Sequence, residues 1–131
     1  MLTLAVAKDA NGTSGLYNLP VDAVAYIEYS TKIDRVIVHT VDSCYYMCGT
    51  LKFWQAALEG SGYRFLLVDR TNVVNVDNIV ILDDQYNIAY FESNITPNSK
   101  RCTFTKIRYN EVKKLIMSTQ TRMTLDEKGA H

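Results

Sequence analysis

The feature that most constrains this fold is a succession of short apolar segments separated by turn-forming residues. The segments are rich in Val, Ile, Tyr and Phe, which favour strands, and stretches of Asn, Asp, Gly and Ser lie between many of them. Such a series fits a sandwich-like or elongated sheet protein better than a doubly wound one. The sequence therefore predicts a mainly β protein. The predicted strands are 2–7, 25–29, 35–40, 44–48, 65–68, 79–82, 88–91 and 100–107.

Two short helices are expected among these strands. A capping threonine precedes a helix over 51–59, whose apolar residues form one buried stripe, and a closing helix is expected over about 109–117. The stretch 19–24, which contains a proline, is typical of a single helical turn or a tight bend. No linker or repeat divides the chain, so we expect one domain over 1–118. Residues 119–131 have no hydrophobic period and are predicted to be a flexible tail.

The composition argues against several classes of protein. The chain has 131 residues and three cysteines, an odd number that favours a reducing compartment and core or half-buried thiols over disulfides. No apolar run is long enough for a membrane span, so we expect a cytoplasmic protein with no membrane partner. His39 stands alone within a strand, and no nucleophile–base, phosphate-loop or zinc pattern occurs. We therefore expect no enzyme, no metal and no cofactor.

The charges are unevenly distributed along a chain whose formal net charge is zero. Residues 1–99 hold 6 basic and 11 acidic residues, whereas residues 100–131 hold 8 basic and 3 acidic residues. Between Lys100 and Lys114, Glu111 is the single acidic residue among six basic ones. This segment can form a local positive face on a neutral protein, or it can be an ordinary solvated strand and helix.

Three separate stretches place polar or cationic side chains in loops between firm strands. They are 30–35, 69–72 after the buried strand, and 105–108 before the last helix. Loops that a rigid sheet holds in place are where binding residues tend to lie. Arg and Lys supply phosphate contacts, and Arg and Asn also match base edges in the major groove.

The order and spacing of these blocks resemble the LytTR DNA-binding domain of bacterial response regulators. That family has a hallmark of the form F-x-x-x-H-R-S-Y-x-V-N, and residues 65–75 read FLLVDRTNVVN. Phe65, Arg70, Val74 and Asn75 match in register. A segment VDAVAYIEYSTK precedes the first loop as in the family, and Thr-Lys stands near the end where the family has Ser-Arg. The resemblance covers roughly residues 19–116 and indicates a divergent, stand-alone member.

The resemblance implies an elongated β-β-β arrangement of short sheets with small helices, in which loop residues enter successive major grooves. It implies a sequence-specific transcriptional regulator that binds double-stranded DNA at promoter sites, which are expected to be repeated, with a homodimer or a partner regulator as further possibilities. Arg70 is the best base-reading candidate, and Asn75 is expected to be structural, bonding a backbone group in its turn. The residues expected to contact DNA are Asp34, Arg35, Arg70, Thr71, Asn72, Lys106, Arg108, Lys113 and Lys114.

The sequence also departs from the family pattern. Asp69 replaces the usual His of the hallmark, Leu67 replaces a common basic residue, and Asp34 stands where some members have a base-contacting His. A carboxylate can accept a hydrogen bond from cytosine N4, so these changes are consistent with an altered base preference. They are also consistent with weakened or lost DNA binding. The alternative is therefore a LytTR-like interaction module that modulates another regulator and binds DNA poorly.

Overall fold

A computed structural model describes the backbone of residues 1–129 and the side chains of residues 1–118. Its described part contains ten strands, two α-helices and two short 3₁₀ turns, in agreement with the mainly β prediction. The helices are α1 (Leu51–Gly60) and α2 (Lys106–Gly129), and the 3₁₀ turns are Val21–Ala23 and Val76–Asn78. The strands are β1 (Thr3–Ala7), β2 (Leu16–Pro20), β3 (Tyr26–Ser30), β4 (Arg35–His39), β5 (Cys44–Met47), β6 (Phe65–Leu67), β7 (Asn72–Asn75), β8 (Ile81–Asp83), β9 (Ile88–Tyr90) and β10 (Arg101–Thr103).

The strands form two antiparallel sheets. The larger has seven strands in the order β2-β1-β5-β4-β3-β7-β6, and the smaller has the order β10-β9-β8. In the larger sheet β3 lies between β4 and β7, with Tyr26 opposite His39 on one side and opposite Val74 on the other. Because neighbouring strands run in opposite directions, alternate connections emerge at the same end of the sheet. This arrangement decides which loops can act together.

The first hydrophobic core lies between the larger sheet and α1. The Thr50 hydroxyl caps this helix by accepting a hydrogen bond from the Phe53 N–H at 3.0 Å. Leu51 and Leu58 point into the sheet, where Ile27 and Phe65 are fully buried. Trp54 packs against the same core, as its position in the predicted stripe requires.

The second core lies between the smaller sheet and the start of α2. Tyr109 and Val112 of the helix are buried among residues of both sheets, including Val74, Ala89 and Phe104. Burial raises the pKa of Tyr109, and its hydroxyl donates to Asp84 at 2.6 Å. The start of α2 is therefore fixed in position by its own buried face.

Several predicted boundaries need correction. Strands β2 and β7 were missed, because Leu16 lies in a turn-rich stretch and Asn72 in a polar one. The predicted strand 100–107 ends at Thr103, since the Thr105 hydroxyl and carbonyl accept hydrogen bonds from Arg108 and Tyr109 and so begin α2 early. The thiol of Cys48 is exposed and not half-buried.

The last helix is also longer than predicted. It continues past Met117 to Gly129, a stretch in which neither proline nor glycine interrupts the hydrogen-bond ladder. The side chains of residues 119–131 lie outside the described part of the chain, so the predicted flexible tail stays a prediction.

Candidate nucleic-acid interface

All three predicted loops emerge at one end of the sheets, here called the loop edge. The β3–β4 turn (31–34) and the β6–β7 loop (68–71) are adjacent there, since the Tyr29 N–H donates to the Thr71 carbonyl at 2.9 Å. The β10–α2 junction joins them through the Thr105 N–H, which donates to the Val68 carbonyl at 2.9 Å. The order along the edge is therefore the first predicted stretch, the second and then the third.

The β3–β4 turn presents Asp34 and anchors Arg35. Asp34 has a left-handed backbone with φ of 53°, and its carboxylate accepts a hydrogen bond from the Tyr29 hydroxyl, which raises the pKa of that tyrosine. The Arg35 Nε donates to the Ala10 carbonyl at 2.9 Å and one Nη donates to the Asp34 carbonyl at 2.8 Å. Arg35 therefore ties the turn to the β1–β2 loop, and only part of its guanidinium remains available.

The β6–β7 loop is organised by Asp69. Its carboxylate accepts hydrogen bonds from the Thr71 N–H at 2.8 Å and from the Asn72 side-chain amide at 2.8 Å. This is the local turn that an aspartate two residues before an N–H can make. Arg70, at the tip, is exposed and has no polar partner among the described residues. The Asp69 carboxylate, which departs from the family pattern, is therefore directed into its own loop, and the Arg70 guanidinium faces outward.

The third stretch forms the first turn of α2. Lys106 and Ile107 are exposed there, and Lys106 has no hydrogen bond or ion pair within residues 1–118. Arg108 is exposed too, but its guanidinium pairs with Glu111 at 3.0 Å. Such an exposed pair contributes little to stability, so Arg108 can exchange this partner for another anion at small cost.

The two lysines farther along the helix differ from each other. The Lys113 ammonium lies 2.9 Å from one Asp84 oxygen and 3.0 Å from the other. This contact and the Tyr109 hydroxyl hold the pKa of Asp84 below its ordinary value, the Tyr109 hydrogen bond contributing more. Lys114 is exposed and has no polar partner among the described residues.

Arg70 and Asp34 share an open cleft beside the start of α1. The cleft has a volume of about 350 Å³ and is also lined by Tyr29, Gly49 and Thr50. Opposite charges on two neighbouring loops therefore face one space. A group that enters it meets a guanidinium donor and a carboxylate acceptor.

The aspartates at the loop edge all accept hydrogen bonds. Asp9 is wrapped by the hydroxyls and N–H groups of Thr13 and Ser14, and these bonds, those from Ser14 first, lower its pKa. The same edge holds cations without a polar partner in the described part of the chain, namely Lys32, Arg70 and Lys106. The edge is therefore more positive toward an approaching ligand than its composition suggests.

The sequence analysis missed part of this arrangement. It did not single out Lys32, although the residue lies in the first predicted stretch, and it treated Asp69 as a possible obstacle to phosphate. The spacing of Asp69, Thr71 and Asn72 is the signal that could have indicated an aspartate-centred turn.

Other predicted residues lie away from the edge. The Asn75 side chain is buried and donates to the Val24 carbonyl at 2.9 Å, so its structural role is confirmed, although the bond reaches the segment before the neighbouring strand β3 and is not local. The Lys100 ammonium lies 2.9 Å from His39 Nδ1, while His39 Nε2 lies 2.6 Å from Glu28. His39 is at the opposite end of β4 from the loop edge.

The described residues also bear on other kinds of site. No group of three or more His, Cys, Asp or Glu residues among them could hold a metal ion. None of the described helices is long and apolar enough to cross a membrane.

Comparison with known proteins identifies the family of this chain. One solved structure that it resembles is the LytTr DNA-binding domain of a putative methyl-accepting/DNA response regulator from Bacillus cereus, with a TM-score of 0.63 and 19% sequence identity. The similarity covers 88% of this chain and 97% of that one, and it supports the same fold. No curated protein matches the sequence. The family model of the LytTr DNA-binding domain matches residues 14–117, which is most of the chain. This protein therefore belongs to the LytTr DNA-binding domain family.

Proposed function

We propose that this protein is a sequence-specific transcriptional regulator that reads double-stranded DNA in the major groove with the side chains of its loop edge. The observation that carries the proposal is the separation of charge at that edge, where the carboxylates are bonded while Lys32, Arg70 and Lys106 have no polar partner among the described residues. Family membership supports DNA binding, and the adjacency of the three loops supports their acting on one duplex.

The residues differ in the contacts that they can make. Arg70 lies at the tip of the middle loop and is suited to a bidentate contact with guanine. Asp34 shares its cleft and can accept from cytosine N4, so the two together favour a G·C pair there. Thr71 and Asn72 position Arg70 through Asp69 and offer a hydroxyl and an amide at the same loop.

The remaining cations are assigned to phosphates. Lys32, Lys106 and Lys114 have no partner among the described residues and are free to contact the backbone of the duplex. Arg35, Arg108 and Lys113 reach DNA only by sharing or leaving a protein partner. We further propose that the protein acts without catalysis in the cytoplasm, at promoters with repeated sites.

One observation favours the alternative of an interaction module. The Asp34 carboxylate lies in the cleft that holds Arg70, where it can occupy the guanidinium and reduce DNA affinity. On this hypothesis the loop edge binds a partner regulator or a second copy of the chain, and the free lysines are only solvated.

Selection from a random duplex library tests both hypotheses. The wild-type chain and the Arg70→Ala variant are taken through the same rounds, and a heparin column with a salt gradient measures phosphate affinity separately. Enrichment of one motif by the wild type, lost or relaxed in the variant, is the expected result. A chain that passes through heparin unretained and enriches no motif contradicts the proposal and favours the interaction module.

A further inference from the structure

Two of the exposed aliphatic side chains at the loop edge lie within the first and third predicted stretches. Ile107, in the first turn of α2, is 74% exposed, and Ile33, at the β3–β4 turn, is 37% exposed. By contrast, Ile27 in the first core is fully buried, and Ile37 in the same sheet is half-buried. Single exposed apolar residues are common on protein surfaces, so the feature that bears on function is where these two lie.

Their placement relates them to the proposed DNA site. Ile107 lies between Lys106 and Arg108, and Ile33 lies between Lys32 and Asp34. The β6–β7 loop with Arg70 stands between these two stretches, because its Thr71 and Val68 carbonyls bond to Tyr29 and Thr105 respectively. An apolar side chain therefore flanks the central arginine on each side, and cations with phosphate affinity stand next to both.

We infer that Ile107 and Ile33 are specificity-determining residues that contact the 5-methyl groups of thymine on either side of the bases read by Arg70. The inference rests on the proposed function. The thymine methyl is the apolar feature of the major groove, and contact with an aliphatic side chain discriminates thymine from the other bases. A protein partner would also cover an isoleucine. However, the neighbouring Lys32 and Lys106, which have no polar partner among the described residues, favour DNA, a polyanion that displays methyl groups in its major groove.

The free energy of burying one methyl group predicts how much DNA affinity is lost when such a contact is removed. Removing a methyl contact worth roughly one buried CH₂ weakens binding about three- to fivefold. Ile107, which is the more exposed, is expected to make the larger contact. The effect is confined to base preference, since neither isoleucine carries charge, and the slope of affinity against salt stays unchanged.

The test removes the same contact from either partner. Duplexes carrying the selected motif are made with each thymine replaced in turn by deoxyuridine, which lacks only the methyl group. Their dissociation constants are measured for wild type, Ile107→Ala and Ile33→Ala. Val80→Ala is the matched control, because Val80 is a β-branched residue that is 55% exposed at the other end of the molecule. Unchanged thermal unfolding shows that each variant folds.

The expected result is a thymine at which deoxyuridine weakens wild-type binding three- to fivefold but does not further weaken Ile107→Ala. A second thymine on the other side of the motif is expected to behave in the same way with Ile33→Ala. Two results overturn the inference and leave the proposed function intact. In the first, no deoxyuridine replacement changes the affinity of the wild type. In the second, the loss of affinity from deoxyuridine adds fully to the loss from the isoleucine substitution. A selection that enriches no motif contradicts the proposed function itself. Selective loss of self-association in Ile107→Ala, with DNA binding unchanged, assigns these residues to a protein partner and also overturns the inference.

Discussion

At the loop edge the aspartates accept hydrogen bonds from neighbouring side chains and N–H groups, whereas at the opposite end of the sheet acidic groups line an open cleft. That cleft has a volume of about 450 Å³ and is lined by Asp22, Asp42 and Asp77 together with Val41 and Val80, among other residues. Asp77 pairs with Arg64 there and Asp42 accepts hydrogen bonds from Thr40 and Ser43, but Asp22 has no side-chain partner within the described residues. At the loop edge the unpartnered charges are instead cations.

The difference explains how a chain of zero formal net charge can belong to a family that binds a polyanion. The charges are not balanced locally, because one end of the sheet presents free cations and the other presents carboxylates. The field that an approaching duplex meets depends on which charges are free and not on their sum. The following predictions test this contrast between the two ends.

Arg70→Ala is expected to have the largest effect. Loss of a bidentate guanidinium contact should weaken binding at the preferred site by about 1–3 kcal/mol and relax preference at one or two base pairs. Arg64→Ala, which breaks an ion pair at the acidic end, is the matched control and should leave DNA affinity unchanged. Titration of both variants on the selected duplex measures the difference. Equal affinity and an equal motif for wild type and Arg70→Ala would remove this residue from the interface.

Asp69→Ala separates charge from loop geometry. If the carboxylate organises the β6–β7 loop, its removal frees the Thr71 N–H and the Asn72 amide and weakens DNA binding by about 1 kcal/mol. Asp69→Asn, which keeps an acceptor for the Thr71 N–H, should lose less. Affinity and salt slope are measured for both. Tighter binding by the alanine variant would mean that the carboxylate faces the phosphates and opposes them.

Lys106 and Lys113 are expected to differ in their salt dependence. Lys106 is unpartnered within residues 1–118, so Lys106→Ala should lower the slope of log affinity against log salt by about 0.9. Lys113 already pairs with Asp84, so Lys113→Ala should change that slope less. Lys114→Ala should resemble Lys106→Ala. A salt titration of the three variants decides, and equal slopes in all of them would contradict the assignment of free and paired lysines.

The smallest expected effect is on the melting temperature at acidic pH. The pKa of Asp84 is lower in the folded protein than its ordinary value of 3.8, because Tyr109 and Lys113 donate to it. Its contribution to stability is therefore present above that ordinary value and is lost as pH falls through the lowered pKa. The melting temperature of Asp84→Asn should consequently fall less steeply than that of wild type below about pH 4. Parallel profiles would contradict this.

Local sequence patterns predicted the elements that depend on local chemistry. The β-branched segments gave most of the strands, and Thr50 with its following apolar stripe gave α1 almost to the residue. The hallmark at residues 65–75 identified Arg70 as an exposed loop residue and the family to which the chain belongs. Strands β2 and β7 could not be found in this way, because their residues are made into strands by pairing with β1 and β3.

The sequence by itself determined the mainly β class, the family and the three loops that carry candidate residues, because hydrophobic period, turn chemistry and motif register are local properties. Only the tertiary structure decided which charges are free. Lys113 is paired with Asp84 29 residues away, and the Lys100 ammonium lies against His39 61 residues away. Pairing of side chains across the fold depends on the registers of two sheets and the position of a helix, and no local pattern contains that information.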